Sequence, residues 1–268
     1  MNNVLVVKLG GGEGLDIPRS CRDLAQIAQN RPLIVVHGVS ARMNQMCTDL
    51  NIPVRTLTSP TGHSSRYTDA RTRNVFVAAA RSVNAEIVEW LCGYGINAIG
   101  IADVENVIIS GERKALIRAV VDGRVRMVRD DYSGSITGVD GTRLRNLLEM
   151  GCIPVLPPMA LSEDGLLNVD GDRASAAVAS ELDAEELVIL SNVQGLFRDF
   201  SDSSSLIAEV PMNQMEQAMN FAQGRMKRKV LGAQEALQGG VQRVIIGDGR
   251  ISNPVSHALL GEGTVFRA

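Results

Sequence analysis

Val4-Leu5-Val6-Val7-Lys8-Leu9-Gly10-Gly11-Gly12 is a short apolar run, rich in β-branched residues, that ends in three glycines. It predicts a buried strand delivering one cation, Lys8, into a turn of bare backbone. Glycines let amide N–H groups approach an anion with no Cβ in the way, and a helix opening behind the turn adds the positive end of its dipole. A strand that ends in a loop with a solvated lysine has the same local pattern, so the neighbouring segments must decide.

Residues 17–29 carry Ile17, Cys21, Leu24, Ala25 and Ala28 near helical spacing, and Arg31-Pro32 breaks the pattern. Leu33-Ile34-Val35-Val36 then reads as a second buried strand, closing at His37-Gly38. The order strand, loop, helix, strand implies a parallel sheet with a right-handed crossover. Gly10-Gly11 and His37-Gly38 then fall on one carboxyl edge, where open α/β sheets bind ligands. His37 fits either a partly buried histidine bonded to backbone or a proton-transfer group.

Residues 51–72, rich in Pro, Thr, Ser and Gly, read as a long loop or irregular hairpin over that crevice. They contain Ser65-Arg66-Tyr67-Thr68-Asp69, whose guanidinium suits a bidentate grip on a carboxylate or is simply solvated. A long helix over 72–91 follows, with Val75, Ala79, Val83, Ile87 and Leu91 on one stripe. Residues 116–128 predict a β-hairpin turning at Asp122-Gly123. Arg113, Lys114, Arg118, Arg124, Arg126 and Arg129 make this region locally basic against Glu112, Asp122 and Asp130. Such a ribbon either docks an acidic partner or guards a strand edge with charge.

A helix ends at Met150, and Ile153-Pro154-Val155-Leu156 is a strand stopped by Pro157-Pro158, close to a lobe boundary. Asn168-Val169-Asp170-Gly171-Asp172 precedes an Ala-rich helix over 173–182. One aspartate suffices as its N-cap, which makes Asp170 the cap and Asp172 the site candidate. Leu187 to Leu190 form a strand ending at Ser191-Asn192-Val193-Gln194-Gly195, and residues 199–205 are too polar to pack. Arg225, Lys227, Arg228 and Lys229 open the last long helix, where cations oppose the dipole and call for an anion. Val244 to Ile246 and Thr264 to Phe266 complete the sheet.

With 268 residues, 45% of them hydrophobic, the chain can fill one large α/β domain or two lobes. A formal charge of −3 argues against a general nucleic-acid binder. Four scattered cysteines and three histidines suggest neither a disulfide framework nor a metal site, and the cysteines read as buried thiols in a reducing cytoplasm. No leader pattern or 18-residue apolar run points to export or to a membrane.

Taken in order, Lys8-Leu9-Gly10-Gly11, Val36-His37-Gly38, Ser65 to Asp69, Asn168 to Asp172, Ser191 to Gly195 and Gly224 to Val230 resemble the amino-acid kinase superfamily over nearly the whole chain. The implied fold is a three-layer αβα sandwich with a largely parallel central sheet plus a β-hairpin excursion. Residues 1–164 would be the acyl-acceptor lobe and 165–268 the nucleotide lobe of one continuous sheet. The chain is most similar to the acetylglutamate-kinase branch, and within it to kinases of aminoadipate or glutamate attached to a small acidic amino-group carrier protein. Arg66-Tyr67-Thr68-Asp69, Asp170-Gly171-Asp172 and the cationic 224–229 segment favour that carrier branch, whereas Gly261 to Val265 fits either.

The resemblance implies that Lys8 and Lys229 contact the phosphates from opposite sides and that Asp172 holds both lysines. Amides of Gly10, Gly11 and Gly38 would cradle phosphoryl oxygens, Arg66 and Asn168 would bind the acceptor, and Ser191, Asn192 and Gly195 would flank the nucleotide. ATP is the implied donor, with Mg²⁺ held by its phosphates and water and no protein metal cage. A homodimer in the cytoplasm, without nucleic acid or membrane, is the implied setting. The chemistry agrees with these roles: a side-chain carboxylate has a pKa of about 4.3, so it is already the nucleophile at neutral pH. Phosphoryl transfer then needs positioning and charge neutralisation, with no general base.

One residue departs from the family pattern. A second glycine usually follows His-Gly, and here Val39 stands there. If the position requires positive φ, valine is strained; if only its amide is used, valine passes. Two other readings stand beside carrier-linked acyl phosphorylation for lysine or arginine synthesis. One is a kinase of free N-acetylglutamate, and the other a regulatory homologue without catalysis, motivated by Val39. A dinucleotide-binding oxidoreductase lacks its third glycine, a P-loop ATPase lacks its motif, and an aspartate kinase would need a further regulatory domain.

Overall fold

The computed structural model describes residues 3–60, 64–121 and 124–268. The chain starts with strand β1 (Leu5–Leu9), helix α1 (Ile17–Ile27), strand β2 (Leu33–His37) and helix α2 (Ser40–Asp49). Short strands β3 (Thr56–Thr58) and β4 (Ser64–Arg66) precede the long helix α3 (Ala70–Gly93) and strand β5 (Ala98–Gly100). Strands β6 (Ile109–Arg113), β7 (Ile117–Val121), β8 (Arg124–Val128) and β9 (Gly134–Val139) lead to helix α4 (Gly141–Glu149) and strand β10 (Ile153–Leu156). Strands β11 (Met159–Ser162) and β12 (Gly165–Asn168) are followed by α5 (Gly171–Glu181) and β13 (Glu186–Ser191). The rest comprises β14 (Glu209–Pro211), α6 (Met215–Phe221), α7 (Met226–Gln238), β15 (Arg243–Asp248), α8 (Pro254–Leu259) and β16 (Thr264–Arg267).

The main sheet has eight strands in the order β14-β16-β15-β13-β1-β2-β10-β5. Its six strands from β15 to β5 are mutually parallel, while β16 runs antiparallel to β15. Parallel strands covered on both faces read as continuous apolar runs, as these do. Their period of two sorts them into two cores. Val4, Val6, Ile34, Val36, Leu187 and Ile189 pack with α4, α5 and α7; Leu5, Val7, Leu33, Val35, Val188 and Leu190 pack with α1, α3 and α8. The expected α3 stripe, Val75, Ala79, Val83, Ile87 and Leu91, is buried throughout.

Two small sheets rise from this body, β12-β11-β6-β9 and β4-β3-β7-β8. The second is the expected excursion, and β7 pairs β8 as the basic hairpin, although its turn residues Asp122-Gly123 lie outside the described residues. The expected lobe boundary at 164/165 falls in the turn between β11 and β12, which pair from Met159↔Asn168 to Ser162↔Gly165. Between β1 and its neighbours the main sheet is continuous, with β2 on one side and β13 on the other.

Other details correct the sequence reading. Helix α2 had no predicted counterpart because its apolar residues are few (Met43, Met46, Cys47); it is anchored where Ala41 N donates to Gly11 O at 2.7 Å. Cys92 is exposed and Cys152 half-buried, so only Cys21 and Cys47 are the buried thiols expected of all four. Among the described residues no helix is long and apolar enough to cross a membrane.

Candidate active site

Alternation along β1 puts Lys8 on the same face as Val4 and Val6, the face covered by α5 and α7. Asp170 caps α5, its Oδ1 accepting from Asp172 N at 3.0 Å and Arg173 N at 3.1 Å, so Asp172 is held in the first turn. Helix α7 approaches closely because Gly232 has no side chain; a Cβ there would lie 3.1 Å from Asp172 O. Three elements distant in sequence thereby converge. Lys8 Nζ lies 2.7 Å from Asp172 Oδ1, and Lys229 Nζ lies 3.0 Å from Asp172 Oδ2.

All three groups are withdrawn from water, with exposures of 6% for Lys8, 6% for Asp172 and 9% for Lys229. Burial opposes the Asp172 charge, but the two ammonium groups outweigh it and hold the carboxyl below the usual carboxylate range. Burial first, then the like charge of Lys8, lowers the pKa of Lys229 against the pull of Asp172. Two ammoniums face one carboxylate. The cluster therefore carries one excess positive charge in a place where charge is costly, and a bound anion would relieve it.

The glycine turns lie back to back beside it. A Cβ on Gly11 would come within 2.3 Å of Gly38 C and Val39 N, and one on Gly38 within 2.4 Å of Gly11 N. Gly38 N donates to Leu9 O at 2.8 Å, so this amide closes the turn and is not free to face a phosphoryl oxygen. Val39 has φ −133° and is buried against the Met43 and Phe76 cluster. Negative φ excludes the case in which valine would be strained there. His37 is enclosed, with Nδ1 donating to Gly38 O at 3.3 Å and Nε2 accepting from Asn84 Nδ2 at 3.1 Å. Burial lowers its pKa to about 4, the Gly38 bond opposing and the Lys8 charge assisting, so it is a neutral structural group.

On the acceptor side, Arg66 Nη2 donates to Asn44 Oδ1 of α2, while its Nη1 is buried without a hydrogen-bond partner among the described residues. Burial is the main cause of its lowered pKa, and the Arg225 cation pushes the same way. A buried guanidinium donor without an acceptor is one that a carboxylate oxygen could satisfy. Asn168 Nδ2 donates to Thr68 Oγ1 at 3.2 Å, and Thr68 Oγ1 donates to Arg66 O at 3.3 Å, so both expected acceptor residues belong to one network. Buried Asp131 supports it, accepting from Thr68 N at 2.8 Å and Ser133 N at 2.7 Å. Asn44, Asn84 and Asp131 carried no local motif; only their partners in space reveal them.

On the other side, Ser191 ends β13 with its carbonyl accepting from Gly249 N at 2.7 Å. Asn192 reaches toward Gly12, 4.0 Å from where a Cβ on that glycine would stand, and Gly195 packs against Thr264. Ser191 and Asn192 thus flank the glycine turn, whereas Gly195 sits against β16.

The basic hairpin divides. Arg113 turns inward, donating to Asp131 O and Arg129 O at 2.8 Å each, and stacks on Tyr132 at 4.1 Å. It is a structural cation. Arg118, Arg124 and Arg126 are exposed, without an ionic partner among the described residues. Directly paired residues share a face, so Thr56↔Arg66, Thr58↔Val120, Val120↔Val125 and Arg118↔Met127 put Arg118 on the face of Arg66, with Arg124 and Arg126 opposite.

A profile described as the amino acid kinase family matches residues 3–248. The chain belongs to this family. It is 45% identical over 266 residues to a [LysW]-aminoadipate kinase of Deinococcus radiodurans, covering 98% of this chain and 91% of the relative. A Thermus thermophilus protein of the same description is 42% identical, covering 98% and 100%. Among solved structures, N-acetylglutamate synthase of Neisseria gonorrhoeae aligns with a TM-score of 0.80 at 24% identity; the match covers 99% of this chain but 59% of the synthase, and shows the shared fold.

Proposed function

We propose that this protein is an ATP-dependent kinase that phosphorylates the side-chain carboxylate of L-2-aminoadipate attached to an amino-group carrier protein, in lysine biosynthesis. The observation that carries the chemistry is the buried Lys8–Asp172–Lys229 cluster with its excess positive charge. Lys8 would meet the transferring phosphoryl group and Lys229 the remaining phosphates, with Asp172 fixing the spacing between them. Charge spread over the equatorial oxygens would thus be met by donors already in place. The acceptor carboxylate is ionised at neutral pH and attacks directly; Arg66 and Asn168 would orient it, and no residue need take a proton.

The donor set suits a magnesium–nucleotide complex, because it offers ammoniums and amides to the phosphates. Mg²⁺ would stay on those phosphates and water, shielding their charge. Ser191, Asn192 and Gly195 would flank the nucleotide, so residues 1–164 would serve mainly the acceptor and 165–268 mainly the nucleotide, with Asn168 reaching across to the acceptor through Thr68. The names of the relatives favour carrier-bound aminoadipate over free N-acetylglutamate. Glutamate as a second acceptor is supported by a Pyrococcus furiosus relative, 38% identical, described as a putative [LysW]-aminoadipate/[LysW]-glutamate kinase.

Carrier docking would use the face that bears Arg66. That face also carries Arg118 and the exposed apolar residues Val120, Val125 and Met127. Arg124 and Arg126 behind it would add long-range attraction for an acidic carrier. We also propose a cytoplasmic homodimer, for which light scattering at twice the chain mass is the check. The deciding assay traps acyl phosphate with hydroxylamine, using ATP, Mg²⁺ and carrier-aminoadipate, carrier-glutamate or free N-acetylglutamate. Turnover of free N-acetylglutamate alone would refute the carrier reading.

A further inference from the structure

The cationic start of α7 does more than deliver Lys229. Arg228, its immediate neighbour, places Nη1 3.2 Å from Asp170 Oδ2, while Lys229 pairs with Asp172. Consecutive cations thus hold alternate aspartates of one turn. Asp170 is doubly committed, since its other oxygen caps α5 and sets the backbone of Asp172. The second arm of Arg228, Nη2, donates to the carbonyl oxygen of Ser64. Ser64 lies on β4, two residues before Arg66, and β4 is the edge of its small sheet, paired among the described residues only with β3. One planar group therefore touches the turn that fixes Asp172 and the edge of the strand that carries Arg66, from the helix that carries Lys229.

We propose that Arg228 is a positioning residue that ties the acceptor-binding strand β4 to the Asp170–Asp172 turn, so that acceptor seating and nucleotide seating reinforce each other. Its kinetic consequence rests on the acyl-kinase reading above; its structural consequence does not. When one substrate tightens the other through a shared contact, the factor is the same in both directions. A lysine cannot replace this residue fully, because one ammonium on a flexible stem lacks the rigid fork that reaches two acceptors at once.

Hydrogen exchange of the substrate-free protein tests the tie directly. In Arg228→Ala, amides of β3 and β4 should exchange about tenfold faster, the loss expected for one charged hydrogen bond, while β1 and β13 keep wild-type protection. In Arg228→Lys the first turn of α5 should stay protected while β4 loosens. Wild-type exchange at residues 64–66 in either folded variant overturns the proposal. Should the alanine variant loosen throughout, the lysine variant decides. A second measurement compares binding of a non-hydrolysable ATP analogue with and without the carrier-linked acceptor. Wild type should show at least about fivefold mutual tightening, and the variants a ratio near one. An acceptor that wild type neither binds nor phosphorylates would sink the functional reading, and the exchange result would still judge Arg228.

Discussion

Lys8 and Arg66 are both cations at or near the ends of strands, yet their surroundings differ in every respect. Lys8 belongs to the central strand of an eight-stranded sheet, with parallel neighbours on both sides and helices over both faces. Arg66 ends a three-residue edge strand of a small sheet whose exposed residues include Val120, Val125 and Met127. The first is held by burial, the second by a few hydrogen bonds. Chemistry that needs fixed charges belongs in the former setting; recognition of an attached substrate needs the access of the latter.

The sharpest way to break this contrast is at the rigid centre. Asp172→Asn leaves two ammoniums facing each other without a counter-charge, and turnover should fall at least about a thousandfold. Stability should fall by about 3–5 kcal/mol, the cost of opening a buried ion pair, read by denaturant melts. Turnover within tenfold of wild type would mean that Asp172 does not set the lysines.

The same centre should respond to acid through His37. Its folded pKa, about 4, lies below the unfolded value of 6.5, so the unfolded chain binds more protons between those values. Stability is therefore complete above about pH 6.5 and declines as pH falls toward 4, by about 3 kcal/mol in total. Melting temperature against pH measures it, and His37→Gln should flatten the curve in that window. An unchanged slope would assign the effect elsewhere.

At the small sheet that carries Arg66, effects should be smaller and appear in binding. Arg66→Ala should raise the acceptor KM about 10–100-fold with kcat nearly unchanged, because a grip equal in ground and transition states affects binding alone. Collapse of kcat instead would move Arg66 into the chemistry. Arg118→Ala should lower kcat/KM for a carrier-linked acceptor severalfold, roughly 3–10-fold, and flatten its salt dependence. Equal loss with a free acceptor analogue would argue against docking. Least of all, Val39→Gly should give no gain in turnover and lose about 1–3 kcal/mol of packing, since φ is already negative and the side chain fills the α2–α3 core. A large rise in rate would restore the view of valine as a defect.

The same contrast governs what could be read in advance. Apolar runs bounded by glycine or proline announce the strands of the main sheet, and Lys8, Asp172 and Lys229 stand at their motifs, so the centre was legible. Helix α2 was not, because Ser40 to Asp49 offers only a thin apolar stripe, and Asn44 disappeared with it. Arg113 looked like one more surface cation; only its carbonyl partners and Tyr132 show that it is structural. The Gly38 amide was assigned to the ligand because a glycine's freedom is visible in sequence, whereas its bond to Leu9 is not.

The position of β1 has a consequence for synthesis. Its partner β2 ends at His37, but its other partner, β13, begins only at Glu186. Asp23 likewise waits for Val255 and Ser256, whose amides it accepts at 2.7 and 3.0 Å. On the ribosome, a strand of Leu, Val, Val, Lys and Leu must stay half-paired until well over half of the polypeptide has been made, an apolar edge open to misassociation. Lys8 is thus among the earliest residues translated, and its ion-pair partner Asp172 follows long after it.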